Sequence, residues 1–123
     1  MARVLIVDDD PSVLRYAAMV LTLEGHQPLE ATNTAQALSM LASHVVDCVL
    51  LDVHLGREWG PEVLRRARSL DLLGATAVLM HSSEDLDVYW DEARAAGAVG
   101  AVTKPADPEV LVAAVVDACQ LGV

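Results

Sequence analysis

Phenylalanine is absent from the sequence, and aromatic residues make up only 3% of it. A core must then be aliphatic, built from Val, Leu, Ile and Ala. The apolar fraction of 54% supplies enough of them to exclude a disordered chain. Positive charge is also scarce: 8 Lys and Arg stand against 18 Asp and Glu, for a formal net charge of −10. A surface of that sign repels phosphate backbones, which argues against direct nucleic-acid binding, and it repels anionic bilayers as well. The two cysteines, Cys48 and Cys119, have neither the spacing of a metal cluster nor the density of a disulfide framework. They read as reduced thiols in or near the core. Long apolar runs are missing too, since the longest, Val110 to Val116, is far too short to span a bilayer. The N-terminus shows no signal-peptide cleavage pattern and enters an apolar segment almost at once. The 123 residues therefore read as a single cytoplasmic domain over 1–123.

What is present alternates between strand and helix. Arg3–Val7 is a short Val/Ile-rich run that stops at Asp8-Asp9-Asp10-Pro11. Asp10 is placed as an N-cap with Pro11 at the first helical position. Leu14, Ala17, Ala18 and Leu21 then recur at helical spacing, and Gly25 ends the helix. Gln27–Ala31 predicts a second strand, and Asn33 or Thr34 caps a second helix through about Ser43. Cys48–Asp52 is apolar on both faces and too short for a helix, as a central parallel strand should be. After a polar, Gly-containing loop, Gly60-Pro61 opens a third helix with Val63, Leu64, Ala67 and Leu70 inward. Ala77–His81 predicts a fourth strand. A fourth helix over about Asp85 to Ala96 carries Leu86, Trp90, Ala93 and Gly97 on one stripe, with Tyr89 and Trp90 unable to face the core together. Gly100–Val102 predicts a fifth strand. Asp107-Pro108 starts a last helix lined by Leu111, Ala114, Val115 and Ala118. Five strand–helix units with short connections imply an α/β fold: a doubly wound parallel sheet with helices on both faces.

In such a sheet, ligands bind outside the carboxyl ends of the strands. Asp8-Asp9 ends the first strand, Asp52 the third and Ser82 follows the fourth, while Lys104-Pro105 comes just after the fifth. Lys104 is the single lysine beside seven arginines, which suggests a need for a compact ammonium there. Three carboxylates held close repel one another unless a cation joins them, and oxygen-only ligands suit a hard ion, Mg²⁺ or Mn²⁺. A carboxylate is also a competent nucleophile toward a phosphoryl group. Lys104 and the Ser82 hydroxyl would bind the remaining phosphoryl oxygens.

This ordered set resembles the receiver domain of two-component response regulators along the whole chain. The residues that carry the resemblance are Asp8-Asp9 after an Ile-Val strand, Asp52 closing Val-Leu-Leu, Gly60, Ser82 and Lys104-Pro105, with 30 residues from Asp52 to Ser82 and 22 from Ser82 to Lys104. It implies a flavodoxin-like sheet with strand order 2-1-3-4-5. Asp52 would be the phosphoacceptor, and Asp8, Asp9, Asp52 and the backbone carbonyl of His54 would hold Mg²⁺ (or Mn²⁺). Ser82 and Lys104 would engage the phosphoryl oxygens. The donor would be a histidine kinase or phosphotransfer protein. The signal would leave through the face of helix four, strand five and helix five, toward a downstream protein or an output domain that this chain does not include. The resemblance also allows a homodimer through that face. Such a protein is no metabolic enzyme; it catalyses only its own phosphorylation and dephosphorylation.

The sequence departs from the family pattern in several places. Ala101 stands where a Tyr or Phe usually precedes the lysine by three residues, and Ala106 replaces a frequent Phe. Gly56 replaces a Pro, so the loop there is expected to be looser. Glu58 and Trp59 replace an apolar residue and an Asp, and Ser82-Ser83 replaces the commoner Thr-Ala. His54 and Glu84 occupy positions that tune phosphoryl loss in the family. The alternative function is a receiver-like interaction module that acts without phosphorylation, favoured by Ala101 and the altered loop. An aspartate-nucleophile phosphatase of the haloacid-dehalogenase type needs an Asp where His54 stands. A nucleotide switch needs a G-x-x-x-x-G-K-[ST] loop, which the sequence lacks.

Overall fold

The computed structural model describes residues 1–121. In chain order the elements are β1 (Arg3–Val7), α1 (Pro11–Leu23), β2 (Gln27–Ala31), α2 (Thr34–Ser43), β3 (Cys48–Asp52), β4 (His54–Leu55), β5 (Glu58–Trp59), α3 (Gly60–Ser69), β6 (Ala77–Ser82), α4 (Leu86–Ala95), β7 (Gly100–Thr103) and α5 (Pro108–Leu121). The main sheet has the order β2-β1-β3-β6-β7, and every pairing in it is parallel. This is the predicted 2-1-3-4-5 order, because β4 and β5 form a separate hairpin and β6 and β7 are the expected fourth and fifth strands.

The two-residue period of the strands sorts side chains between two cores. Val4, Ile6, Cys48, Leu50, Ala77 and Leu79 point to one face and pack with Leu14, Ala17 and Leu21 of α1 and Leu111, Val115 and Ala118 of α5. Leu5, Val7, Val49, Leu51, Val78 and Met80 point to the other, against Ala37 of α2, Val63, Leu64 and Ala67 of α3, and Tyr89 and Ala93 of α4. All five positions of β3 are buried, which explains why its sequence reads as a continuous apolar run rather than an alternating one. Each fully buried aliphatic side chain contributes about 1.5–3 kcal/mol of transfer free energy, so a core without Phe is adequate. Both cysteines are free thiols, Cys48 buried and Cys119 half-buried. Among the described residues, no helix is long and apolar enough to cross a membrane.

Capping sets where the helices begin. The Asp10 carboxylate accepts from the Ser12 N–H at 2.9 Å, and Pro11 occupies the first turn. Of the two candidate caps for α2 it is Asn33 that acts, accepting from the Gln36 N–H at 2.9 Å.

The helix faces differ from expectation in three places. On α1, Val20 is buried and Ala18 only half-buried. On α3, Leu70 is exposed, because the helix has ended by Ser69 and the chain has turned outward. On α4, the inward stripe is Tyr89, Ala93 and Ala96, while Leu86 is exposed and Trp90 half-buried. The stripe Leu86, Trp90, Ala93, Gly97 has the same i, i+4, i+7 spacing, so periodicity alone admits both faces; the docking of α4 on the sheet selects the one carrying Tyr89.

The segment after β3, expected as a loosened loop, is an ordered hairpin. His54 pairs with Trp59 and Leu55 with Glu58 in antiparallel register, leaving a two-residue turn at Gly56-Arg57. Gly56 has φ +61° at the first turn position, where two-residue hairpins of type II′ place glycine. The glycine takes the positive φ that this turn requires.

Candidate functional site at the carboxyl ends of the strands

Parallel register delivers the site. Val7 lies beside Leu51 and Asp52 beside His81, while Ser82 lies beside Thr103. The residues that follow β1 and β7, and those that end β3 and β6, therefore emerge on one edge of the sheet. Asp8, Asp9 and Asp52 each present a carboxylate oxygen there, all within 4.8 Å of one another. Asp8 and Asp52 are buried, and Asp9 is exposed. The Lys104 ammonium reaches in from the loop after β7, 2.6 Å from Asp8 Oδ2 and 3.3 Å from Asp52 Oδ1. One cation thus bridges two buried carboxylates, and their cost of burial is offset only while it stays.

Main-chain donors complete the pocket. The Asp10 N–H donates to Asp8 Oδ1 at 2.9 Å, the His54 N–H to Asp52 Oδ1 at 3.2 Å and the Gly56 N–H to Asp9 Oδ2 at 3.1 Å. Ser82 is buried, and its Oγ accepts from the Glu84 N–H at 3.0 Å. Ser83 is exposed, so the hydroxyl at the strand end is that of Ser82. Gly60 seats α3 against the pocket: a Cβ there would lie 2.4 Å from the Asp52 carbonyl oxygen and 2.9 Å from Val53 Cα.

Burial pushes the Asp52 carboxyl up to about 6, with the Asp8 charge adding to the rise and Lys104 and the His54 N–H opposing it. Asp52 still ionises below neutral pH. Its neighbour His81 is pushed down to about 4, first by burial and then by the Lys104 charge. A neutral imidazole therefore stands beside the carboxylates, so His81 adds no competing cation. His81 is given no part in the pocket's surroundings by sequence reasoning; its place one residue before Ser82 was the available signal.

The donor set fits a hard divalent cation. All the side-chain ligands on offer are carboxylate oxygens, and Asp9 faces solvent as an entry point. A surface cavity of about 670 Å³ lies at the opposite end of the sheet among residues such as Ala2, Val46, Asp47 and Thr76. Among the described residues that line it, no carboxylate cluster like that of Asp8, Asp9 and Asp52 is formed, so the chemistry is assigned to the acidic crevice.

The loop beyond the pocket holds contacts that sequence reasoning missed. His54 Nε2 and Glu84 Oε1 are 2.7 Å apart. The His54 and Trp59 rings meet edge-on at 5.2 Å, and the Trp59 indole N–H donates to Glu92 Oε2 at 3.0 Å.

Comparison with known proteins agrees with this architecture. The sequence profile described as the response regulator receiver domain matches residues 4–116. Protein PilH of Pseudomonas aeruginosa is 31% identical over 113 residues, which cover 90% of this chain and 92% of PilH. The alginate biosynthesis transcriptional regulatory protein AlgB of the same species is 34% identical over 110 residues, which cover 89% of this chain but 24% of AlgB. The chain thus spans about a quarter of that regulator's length. Among solved structures, the chemotaxis protein CheY4 of Vibrio cholerae superposes with a TM-score of 0.90 at 28% identity, covering 96% of this chain and 98% of CheY4. With a matching profile over nearly its whole length and a relative above 30% identity covered almost end to end, the chain belongs to the response regulator receiver domain family.

Proposed function

We propose that the protein is a phosphoacceptor switch in which Asp52 takes a phosphoryl group from a phosphohistidine on a histidine kinase or phosphotransfer protein. The observation that carries this reading is the convergence of Asp8, Asp9 and Asp52 with Lys104 at one sheet edge. An Asp52 carboxylate oxygen attacks phosphorus, the N–P bond of the donor breaks, and an acyl phosphate forms. Asp52 is ionised at neutral pH, so the nucleophile needs no base. Lys104 is placed to exchange part of its pairing with Asp8 and Asp52 for a phosphoryl oxygen. The Ser82 hydroxyl turns from the Glu84 N–H toward another. Asp8, Asp9, Asp52 and the His54 carbonyl would hold Mg²⁺ (or Mn²⁺), which when bound supplies charge neutralisation for the incoming group. The protein turns over no external substrate beyond making and losing its own phosphoryl group, and acts in the cytoplasm.

The output surface is read as the face of α4, β7 and α5. Leu86 and Val88 of α4, Val99 just before β7 and Val110 of α5 are exposed, apolar side chains available to a downstream partner, an output domain or a second copy. The test is incubation with acetyl phosphate and Mg²⁺, followed by intact mass. A Mg²⁺-dependent adduct that is labile to hydroxylamine and absent from Asp52→Asn is expected. If Mg²⁺ binds without an adduct, the second reading takes over: an interaction module that works without phosphorylation, which Ala101 in place of an aromatic ring favours.

A further inference from the structure

We infer that the His54–Trp59 hairpin is the coupling element that passes the state of Asp52 to α4, through the hydrogen bond from Trp59 to Glu92. The inference rests on the phosphoacceptor reading above and assigns that switch an internal route.

The hairpin is tied to the pocket by two main-chain N–H groups. That of His54 donates to Asp52 and that of Gly56 to Asp9. Both acceptors change their charge environment when a phosphoryl group joins Asp52. On its far side the hairpin is tied to α4 and the segment leading into it, by His54 to Glu84 at 2.7 Å and by the Trp59 indole N–H to Glu92 at 3.0 Å. The Glu84 N–H also donates to Ser82 Oγ. When that hydroxyl turns to a phosphoryl oxygen, Glu84 loses an acceptor while it still holds His54. One small element therefore touches both carboxylates that sense the phosphoryl group and two separated points along the α4 segment.

The hairpin is built to move as a unit. His54 and Trp59 are a directly opposed cross-strand pair whose rings pack edge-on at 5.2 Å and 60°, a geometry favourable to aromatic pairs. Glu58 is held by Arg66 of α3 at 3.0 Å. The hairpin's end is pinned where the Gly60 N–H donates to the Val53 carbonyl and a Cβ has no room. On β7, by contrast, Ala101 is exposed and carries a single methyl group. A single methyl group offers little to distinguish two states, whereas the Trp59 indole N–H is bonded to a carboxylate on another element.

The test compares the wild type with Trp59→Phe, which keeps a ring and removes the N–H. Glu92→Ala removes the acceptor, and Glu92→Gln keeps an acceptor oxygen. Two readouts are taken on each protein: adduct formation from acetyl phosphate by intact mass, and backbone amide shifts of Leu86–Ala95 with and without beryllium fluoride and Mg²⁺. All of these proteins, and the double variant that combines Trp59→Phe with Glu92→Ala, are expected to form the adduct. The α4 shift changes fall below about half the wild-type size in Trp59→Phe and Glu92→Ala, survive in Glu92→Gln, and fall no further in the double variant. Full α4 responses in both disrupting variants overturn the inference. A wild-type α4 that stays silent while the adduct forms overturns it equally and leaves the phosphoacceptor reading standing. Absence of the adduct in the wild type removes that reading and the coupling role with it.

Discussion

The acidic pocket and the hairpin beside it hold charge in opposite ways. In the pocket, Asp8 and Asp52 are buried and share the Lys104 ammonium, so each group depends on the others to be tolerable out of water. In the hairpin, His54 and Glu84 pair with side chains 55% and 38% exposed. There, solvent screens the interaction and a lost partner is replaced by water. Buried charge contributes chemistry at the expense of stability, whereas the exposed ties contribute little stability and are free to serve communication.

The largest expected effect breaks the buried side of this comparison. Lys104→Met leaves two carboxylates without their cation and should destabilise the metal-free protein at pH 7 by about 3–5 kcal/mol, measured by urea unfolding in EDTA. The loss should shrink as pH falls toward about 6, the value Asp52 has with Lys104 present, because without the ammonium the carboxyl takes up its proton at higher pH, and added Mg²⁺ should restore part of it. A variant as stable as the wild type at pH 7 would mean that the carboxylates are not strained by one another.

Asp52→Asn should act in the opposite direction. The folded-state carboxyl is raised from 3.8 to about 6, so between those values the folded protein binds a proton that the unfolded chain has lost. Stability contributed by this group therefore falls as pH rises through that window and stays low above it. Removing the charge should stabilise the metal-free protein at pH 7 by about 2 kcal/mol, with the gain shrinking as pH falls from about 6 and gone by about pH 4. A destabilised Asp52→Asn at pH 7 would show that the Lys104 pairing outweighs burial.

Smaller effects probe the hairpin. Gly56→Ala forces a side chain into φ +61° and should cost about 1 kcal/mol, read as a lower urea midpoint with an unchanged slope. If the cost is absent, the turn has found another conformation and the segment behaves as a plain loop. Glu84→Gln should change stability by less than about 0.5 kcal/mol, since both partners are solvated, while it alters phosphoryl lifetime followed by intact mass. A large stability loss there would erase the distinction between pocket and hairpin.

Much of this architecture was readable before any coordinates. Five strand–helix units, the cap at Asp10 and the polar residues at strand ends follow from local chemistry, because periodicity and capping are written in neighbouring residues, while the choice of Asn33 over Thr34 came with the structure. The α4 face was not readable, since two overlapping stripes that share Ala93 satisfy the same period. The hairpin was not either: His54, Leu55, Glu58 and Trp59 make strands only two residues long, too short to show a pattern.

The sequence by itself determined the class of the protein: an aliphatic core, a parallel sheet, and a set of carboxylates, a hydroxyl and one lysine each placed at a strand end. Those are properties of spacing, and spacing along a chain survives without coordinates. Only the tertiary structure decided which groups meet. Lys104 bridges Asp8 across 96 residues of chain, His81 is buried beside Asp52, and Trp59 reaches Glu92 on another element. Contacts of that length depend on the register of β1, β3, β6 and β7 and on how α4 seats against the sheet, and no local pattern encodes either.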